Sequence, residues 1–263
     1  MQLLISKVED RINLYKKIPP EFSKPIVSGR ISAGIQTHLL ACMPKSGSSW
    51  LSGLFEGLPM FKHLNMVNYF GAREQEIDPT TIELSLQQSC NFHTISQHHV
   101  KYNINTRENL IKYCICPIVL TRDIKDNLVS LVDHWRSTDS NPSYSAYIEK
   151  TYFDKEVTSS LHSSASPLEY ATILHSPWIL NFYLSWKKYN SNPAGSLPSS
   201  LSPIFIKYSD LLNNTYEVFK SLLLELGYVA SEEELQSAIS SISSGKRNTR
   251  LNSSTHFKSI SQA

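Results

Sequence analysis

The stretch HLLACMPKSGSSWLSGLFEGL, residues 38–58, decides how the chain is read. Its opening run, His38 to Met43, is short, apolar and closed by Pro44, the pattern of a buried strand. Lys45, Ser46, Gly47, Ser48 and Ser49 form a small polar loop, after which Trp50, Leu51, Leu54, Phe55 and Leu58 recur at helical spacing. A loop of this kind between strand and helix leaves backbone N–H groups to surround an anion. The helix N-terminus adds partial positive charge and Lys45 a full one. The arrangement suits a phosphate or a transferring sulfuryl group. It is not G-x-x-x-x-G-K-[ST], where the lysine follows the last glycine, because Lys45 precedes Gly47. Taken alone, the same residues also fit an ordinary Ser/Gly turn.

Outward from this unit the alternation continues. A second strand is predicted over about 91–100, ending in His98 and His99, and a third over 116–121, β-branched and running into Arg122 and Asp123. Ile124, Leu128, Leu131, Val132 and Trp135 then mark a helix. A fourth strand, 204–208, leads into a helical stretch carrying Val218, Leu222, Leu223 and Leu226, with Gly227 as its C-cap. Strands separated by helices imply crossovers, hence an α/β fold with a central parallel sheet flanked by helices on both faces. The Ser/Asn/Pro-rich stretches near 137–143, 159–167 and 190–203 read as loops. Trp178, Phe182, Tyr183 and Trp186 share much of one helical face, the pattern of core packing.

Composition sets the frame. With 263 residues, 41% hydrophobic and 18% charged, the chain can bury one substantial core, and a single domain over 1–263 is expected. The 25 basic and 23 acidic side chains leave +2, which excludes a broad cationic surface that grips nucleic acid by charge, so any anion must be held locally. Cys42, Cys90, Cys114 and Cys116 lack C-x-x-C spacing and are expected to be reduced. The first 17 residues read as an amphipathic helix within an N-terminal helical segment, 1–30, not as a signal peptide. No run of 18 apolar residues occurs, so a cytoplasmic protein is expected. No His/Asp/Glu cluster has metal-ligand spacing, and no metal is expected.

PKSGSSWL, residues 44–51, resembles the PKSGTTWL-type loop of the sulfotransferases that use 3′-phosphoadenosine 5′-phosphosulfate (PAPS). TRDIKDNLVSLVDHW, residues 121–135, is similar to that family's R-D-x-x-D-x-x-V-S element, in which an arginine and a serine hold the nucleotide 3′-phosphate. The chemistry fits independently: Arg122 at a strand end offers a planar donor fork, and Ser130 can lie on the side of the helix start. SQHHVKY, residues 96–102, resembles the family strand that ends in a histidine followed by an apolar residue. His99 matches best, with His98 one residue away, and Gln97 and His98 stand where many members carry a lysine. IFIKYSDLL, residues 204–212, resembles the strand and Y-E-D-L element, and TRLNSSTHFKS, residues 249–259, faintly resembles a closing loop over the nucleotide whose glycines are absent here.

The resemblance implies a P-loop-nucleotide-kinase-like sulfotransferase fold and transfer of a sulfuryl group from PAPS to a hydroxyl or amine of a small soluble acceptor. Adenosine 3′,5′-bisphosphate (PAP) is then the second product. It implies His99 as catalytic base and Lys45 as the group that stabilises charge on the departing oxygen. It further implies a nucleotide site of Lys45, Ser46, Gly47, Ser48, Ser49, Trp50, Arg122, Ser130 and Tyr208. Arg250 and Lys258, in a tail over 245–263, would cover the nucleotide. No metal, nucleic acid or membrane partner is implied, and the chain is expected as monomer or homodimer. A P-loop-type kinase or nucleotide hydrolase, and a non-catalytic nucleotide-binding homologue, remain open at this level.

Overall fold

The computed structural model describes residues 25–67, 75–89, 91–138, 167–188 and 197–243. The N-terminal helix expected over 1–17, Cys90, Arg250 and Lys258, and most of the three Ser/Asn/Pro-rich stretches lie outside the described residues, while 137 and 138, expected in a loop, still belong to a helix. The strands are β1 Thr37–Cys42, β2 Phe61–His63, β3 His93–His98, β4 Ile115–Thr121 and β5 Ile204–Lys207. Helices α1 Pro25–Ser32, α2 Ser48–Glu56, α3 Pro79–Gln88, α4 Ile104–Lys112, α5 Ile124–Thr138 and α6 Pro167–Lys187 precede or separate them. After β5 come α7 Tyr208–Asn213, α8 Thr215–Leu226 and α9 Glu232–Ser243.

The sheet runs β2-β3-β1-β4-β5 with every neighbouring pair parallel, as the strand and helix alternation predicts. Every residue of β1 is buried, and in β4 only Thr121 is not, so both faces of the sheet centre are covered. The centre of the sheet is therefore the core. Pro117 sits inside β4, where a missing N–H would normally break a ladder. It is accommodated because β5 begins to pair only at Ile118.

Strand boundaries differ from the sequence reading by one or two residues, β1 and β4 each beginning one residue earlier, at Thr37 and Ile115. The strand expected over 91–100 is only His93–His98, because Phe92 closes a turn on the Ser89 carbonyl and His99 has already left the ladder. Met43 falls outside β1, and Tyr208 begins α7 instead of ending β5. The helix ending at Gly227 is as expected: Gly227 has φ 94°, and it and Tyr228 return N–H bonds to the last-turn carbonyls.

Between α1 and the β2–β3 edge lies a buried polar cluster. Arg30 donates to the Ser89 carbonyl at 2.6 Å and the Phe92 carbonyl at 2.9 Å, tying α1 to the turn before β3. Beside it, His93 Nδ1 accepts the Gln36 N–H at 3.0 Å and lies 3.1 Å from the Tyr228 hydroxyl, which also meets His38 Nε2 at 2.8 Å. Burial, and secondarily the Arg30 charge, hold the His93 pKa down at about 4. Among the described residues no helix is long and apolar enough to cross a membrane.

These buried neutral imidazoles make stability depend on pH. Below pH 6.5 the unfolded chain takes up protons on His93 and His98 that the folded chain refuses until about pH 4 and 3. Thermal melts are therefore expected to be flat between about pH 7 and 8, with Tm falling steadily from pH 6.5 towards 4. A Tm that is constant or rises over that interval would contradict the neutral assignment.

Candidate active site

In a parallel sheet the strand order reverses at a switch point, and the loops leaving the carboxyl ends of the central strands meet there. Here β1 is flanked by β3 and β4, which puts the turns after β1, β3, β4 and β5 on one edge. The registers are tight. Ala41 pairs with His98, so His99 emerges beside Cys42; Thr121 pairs with Lys207, so Arg122 emerges beside Tyr208.

After β1 the backbone turns sharply. Lys45 has φ 61° and Gly47 φ 86°, both left-handed. Gly47 is required twice over, since a Cβ there would run into the Tyr208 ring. Two side chains from the β4–α5 junction hold this turn: Asn127 Nδ2 donates to the Pro44 carbonyl at 2.7 Å, and Arg122 donates to the Lys45 carbonyl at 2.8 Å. The Arg122 guanidinium lies over the Tyr208 ring at 4.5 Å, and Tyr208 meets Trp50 edge-on with centroids 6.2 Å apart.

The structure thus brings together Lys45, Gly47, Trp50, Arg122 and Tyr208 in one cluster. Ser48 and Ser49 open α2, and the first N–H groups of a helix have no intrahelical acceptor. Ser46 is turned inward: both its N–H and its hydroxyl donate to the Met43 carbonyl, at 3.2 and 2.7 Å. Ser46 therefore braces the loop, and its hydroxyl is not among the groups facing an anion. Ser130 lies three residues beyond Asn127 on α5, half-buried on a neighbouring part of the same face.

The two histidines separate clearly. His98 is buried, and its Nε2 accepts the Met66 N–H at 3.1 Å, so its lone pair is spent on the backbone. Burial, with the charges of His63 and His99, pushes its pKa to about 3. His99 is half-buried, and its Nδ1 donates to the Cys42 carbonyl at 2.9 Å, which leaves the lone pair on Nε2. Burial lowers its pKa, and that carbonyl partly opposes the shift. Gln75 Oε1 accepts the His99 N–H at 2.6 Å, and Trp178 meets the imidazole edge-on with centroids 6.4 Å apart.

Sequence reasoning missed Cys42, Gln75, Asn127 and Trp178 as neighbours of this site. Cys42 is wholly buried, and its thiol pKa is pushed up to about 12, so it remains a neutral packing group. Trp178 and Phe182 stack at 5.5 Å and, with Trp186, are buried, so the aromatic face is core as expected, while Tyr183 stays exposed. Only the packing of α6 reveals that Trp178 also borders the imidazole. No group of metal-ligating side chains occurs among the described residues.

A family model described as the sulfotransferase domain matches residues 36–262. No curated protein sequence matches the chain. Among solved structures, mouse sulfotransferase SULT7A1 complexed with PAP is 17% identical, covering 84% of this chain and 71% of that one with a TM-score of 0.48. A sulfotransferase from Alicyclobacillus acidocaldarius is 11% identical over 76% of this chain and 87% of its own, with a TM-score of 0.43. Retinol dehydratase in complex with androsterone and the inactive cofactor PAP is 14% identical over 78% and 64%, with a TM-score of 0.43. Because the family model runs from just before β1 to the last residues of the sequence, the chain belongs to the sulfotransferase domain family.

Proposed function

We propose that the chain moves a sulfuryl group from PAPS to a hydroxyl or amine of a small-molecule acceptor, with His99 as general base and without a metal ion. The observation that carries this reading is the His99 Nδ1 to Cys42 carbonyl bond, 2.9 Å, which fixes the tautomer with Nε2 as the basic nitrogen beside the phosphate loop. PAPS supplies the sulfuryl group and a phosphate leaving group.

The residues present suit such a nucleotide. Gly47, Ser48 and Ser49 offer loop and helix N-terminal N–H groups to the 5′ end, and Lys45 adds the mobile charge that stabilises the oxygen released from sulfur. Arg122 and Ser130 are assigned to the 3′-phosphate, with Trp50 and Tyr208 walling the nucleotide. Ser46 belongs to the loop as a brace. Arg250 and Lys258 are assigned as a cover on the resemblance alone. His99 Nε2 takes the acceptor proton as the acceptor oxygen or nitrogen bonds to sulfur. The sulfuryl group carries less negative charge than a phosphoryl group, so lysine and backbone dipoles suffice. We place the activity in the cytoplasm, in a single unit spanning 1–263 that acts as monomer or homodimer.

The deciding experiment compares thermal stabilisation by PAP with that by ATP plus magnesium, followed by a PAPS transfer assay with EDTA present. PAP at a hundredfold excess over its Kd should raise Tm by roughly 5 °C or more, with ATP and magnesium far less effective. Stabilisation by ATP and magnesium alone, or transfer abolished by EDTA, would count against the reading.

His99→Ala should lower kcat by about 10²–10⁴-fold with PAP affinity retained, whereas His98→Ala should act through stability. Because burial lowers the His99 pKa, the acid limb of kcat/KM should fall below the ordinary histidine range, with activity persisting at pH 6. An acid limb above pH 6.5 would remove His99 from the role. Asn127→Ala should weaken PAP about 10-fold while Tm drops by about 5 °C, because the half-buried Pro44 carbonyl loses its donor, at a cost of about 1–3 kcal/mol. Unchanged PAP affinity in a folded Asn127→Ala protein would show that the loop holds its shape without it.

A further inference from the structure

A cleft of about 380 Å³ opens between the outer face of α2 and the ends of β2 and β3, with Ser49 and His99 both on its wall. An acceptor group that reaches His99 from this side therefore lies against the rest of that wall, and its character is polar. Ser52 and Glu56 stand four residues apart on one face of α2, and the Ser52 hydroxyl donates to Glu56 Oε1 at 2.8 Å. That bond orients the carboxylate and leaves further acceptor capacity on Oε1 and Oε2. Opposite, the Gln75 carbonyl oxygen already accepts the His99 N–H, so its NH₂ group is the part left to donate. Gln97 and His63 add amide and imidazole groups to the same cleft.

We infer that the acceptor is a hydroxyl-rich molecule, neutral or amine-bearing, of the polyol or glycoside class, and that Glu56 is the residue that selects it. The inference rests on the sulfuryl-transfer reading of the inner end of the cleft. A carboxylate accepts O–H and N–H donors and repels an anionic acceptor, while the Gln75 amide donates to a hydroxyl oxygen. Several hydroxyls, each both donor and acceptor, satisfy such a wall. A flat phenol displaces its water and leaves those groups unpaired, and a site built for hydroxyls discriminates strongly against a ligand lacking them.

The test offers cellobiose, glucosamine and 2-naphthol with PAPS to the full chain and to Glu56→Gln, with PAP affinity measured on both proteins. Sulfated cellobiose or glucosamine, with 2-naphthol at least tenfold poorer in kcat/KM, is the expected result. Glu56→Gln should raise the sugar KM about tenfold, change kcat less than threefold and leave PAP affinity within twofold. Preferred transfer to 2-naphthol, no transfer to either sugar in protein that binds PAP, or an unchanged sugar KM in Glu56→Gln each overturns the acceptor assignment. A protein that fails to bind PAP refutes the sulfuryl-transfer reading, and the acceptor assignment falls with it by that distinct route.

Discussion

Two hydrogen bonds to consecutive carbonyls, Asn127 to Pro44 and Arg122 to Lys45, set the shape of the turn on which the site depends. A non-glycine residue in the left-handed region costs of order 1–3 kcal/mol and persists only where its surroundings hold it. One neutral bond, worth about 0.5–1.5 kcal/mol, and one from a charged donor, worth about 1.5–3 kcal/mol, are together of the size needed to hold Lys45 at φ 61°. Both clamps come from the six-residue span after β4, so the junction that carries Arg122 also shapes the junction that carries Lys45. The Tyr208 ring, packed against Gly47 and under Arg122, brings the end of β5 into the same contact. Three strand ends are thus fixed relative to one another before any ligand arrives, a form of preorganisation that spares reorganisation when charge develops.

The electrostatic design divides labour. His93, His98 and His99 are all held towards the neutral form by burial, and none contributes positive charge near pH 7. The positive end of the site is left to Lys45, Arg122 and the N-terminus of α2, while the imidazole of His99 keeps a lone pair. A cationic histidine would attract a polyanion but could not accept a proton. Under the proposed reading, separating the two duties resolves that conflict, and it is compatible with a chain whose formal charge is only +2.

Much of this was legible in the sequence because it is local. The run 38–58 is a strand, a turn and a helix, and Arg122 follows its strand directly. Gly227 ends its helix as a left-handed cap for the same local reason. β2 escaped because three residues, Phe61–His63, are too few to show a period, and its place at the edge comes from pairing with β3. α3 carries a cap in Asp78, which accepts the Thr81 N–H, with Pro79 at its start, but its apolar face is weak and its existence depends on packing. His98 against His99 could not be settled by spacing, since adjacent residues near a strand end point to opposite sides and a one-residue slip exchanges their environments. Asn127, at an unconstrained position of the R-D-x-x-D-x-x-V-S element, gave no sign of its bond to a residue 83 positions away.

Under the proposed reading, helix α2 connects the loop assigned to phosphate with the side assigned to the acceptor. Its first turn presents N–H groups at the phosphate loop, whereas Ser52 and Glu56 lie one and two turns further along the cleft. At 1.5 Å per residue, Glu56 is about 10 Å along the axis from Ser49. Groups at that distance can read the remote part of an acceptor without touching the atoms that react. On the proposed reading, binding energy gained there would position the acceptor group against His99, and its loss would alter KM with little effect on the chemical step. The same rigid rod therefore allows the cleft-facing side of α2 to change while Lys45 and Gly47 keep their geometry, because the turn that holds them is clamped by Arg122 and Asn127 and not from the cleft.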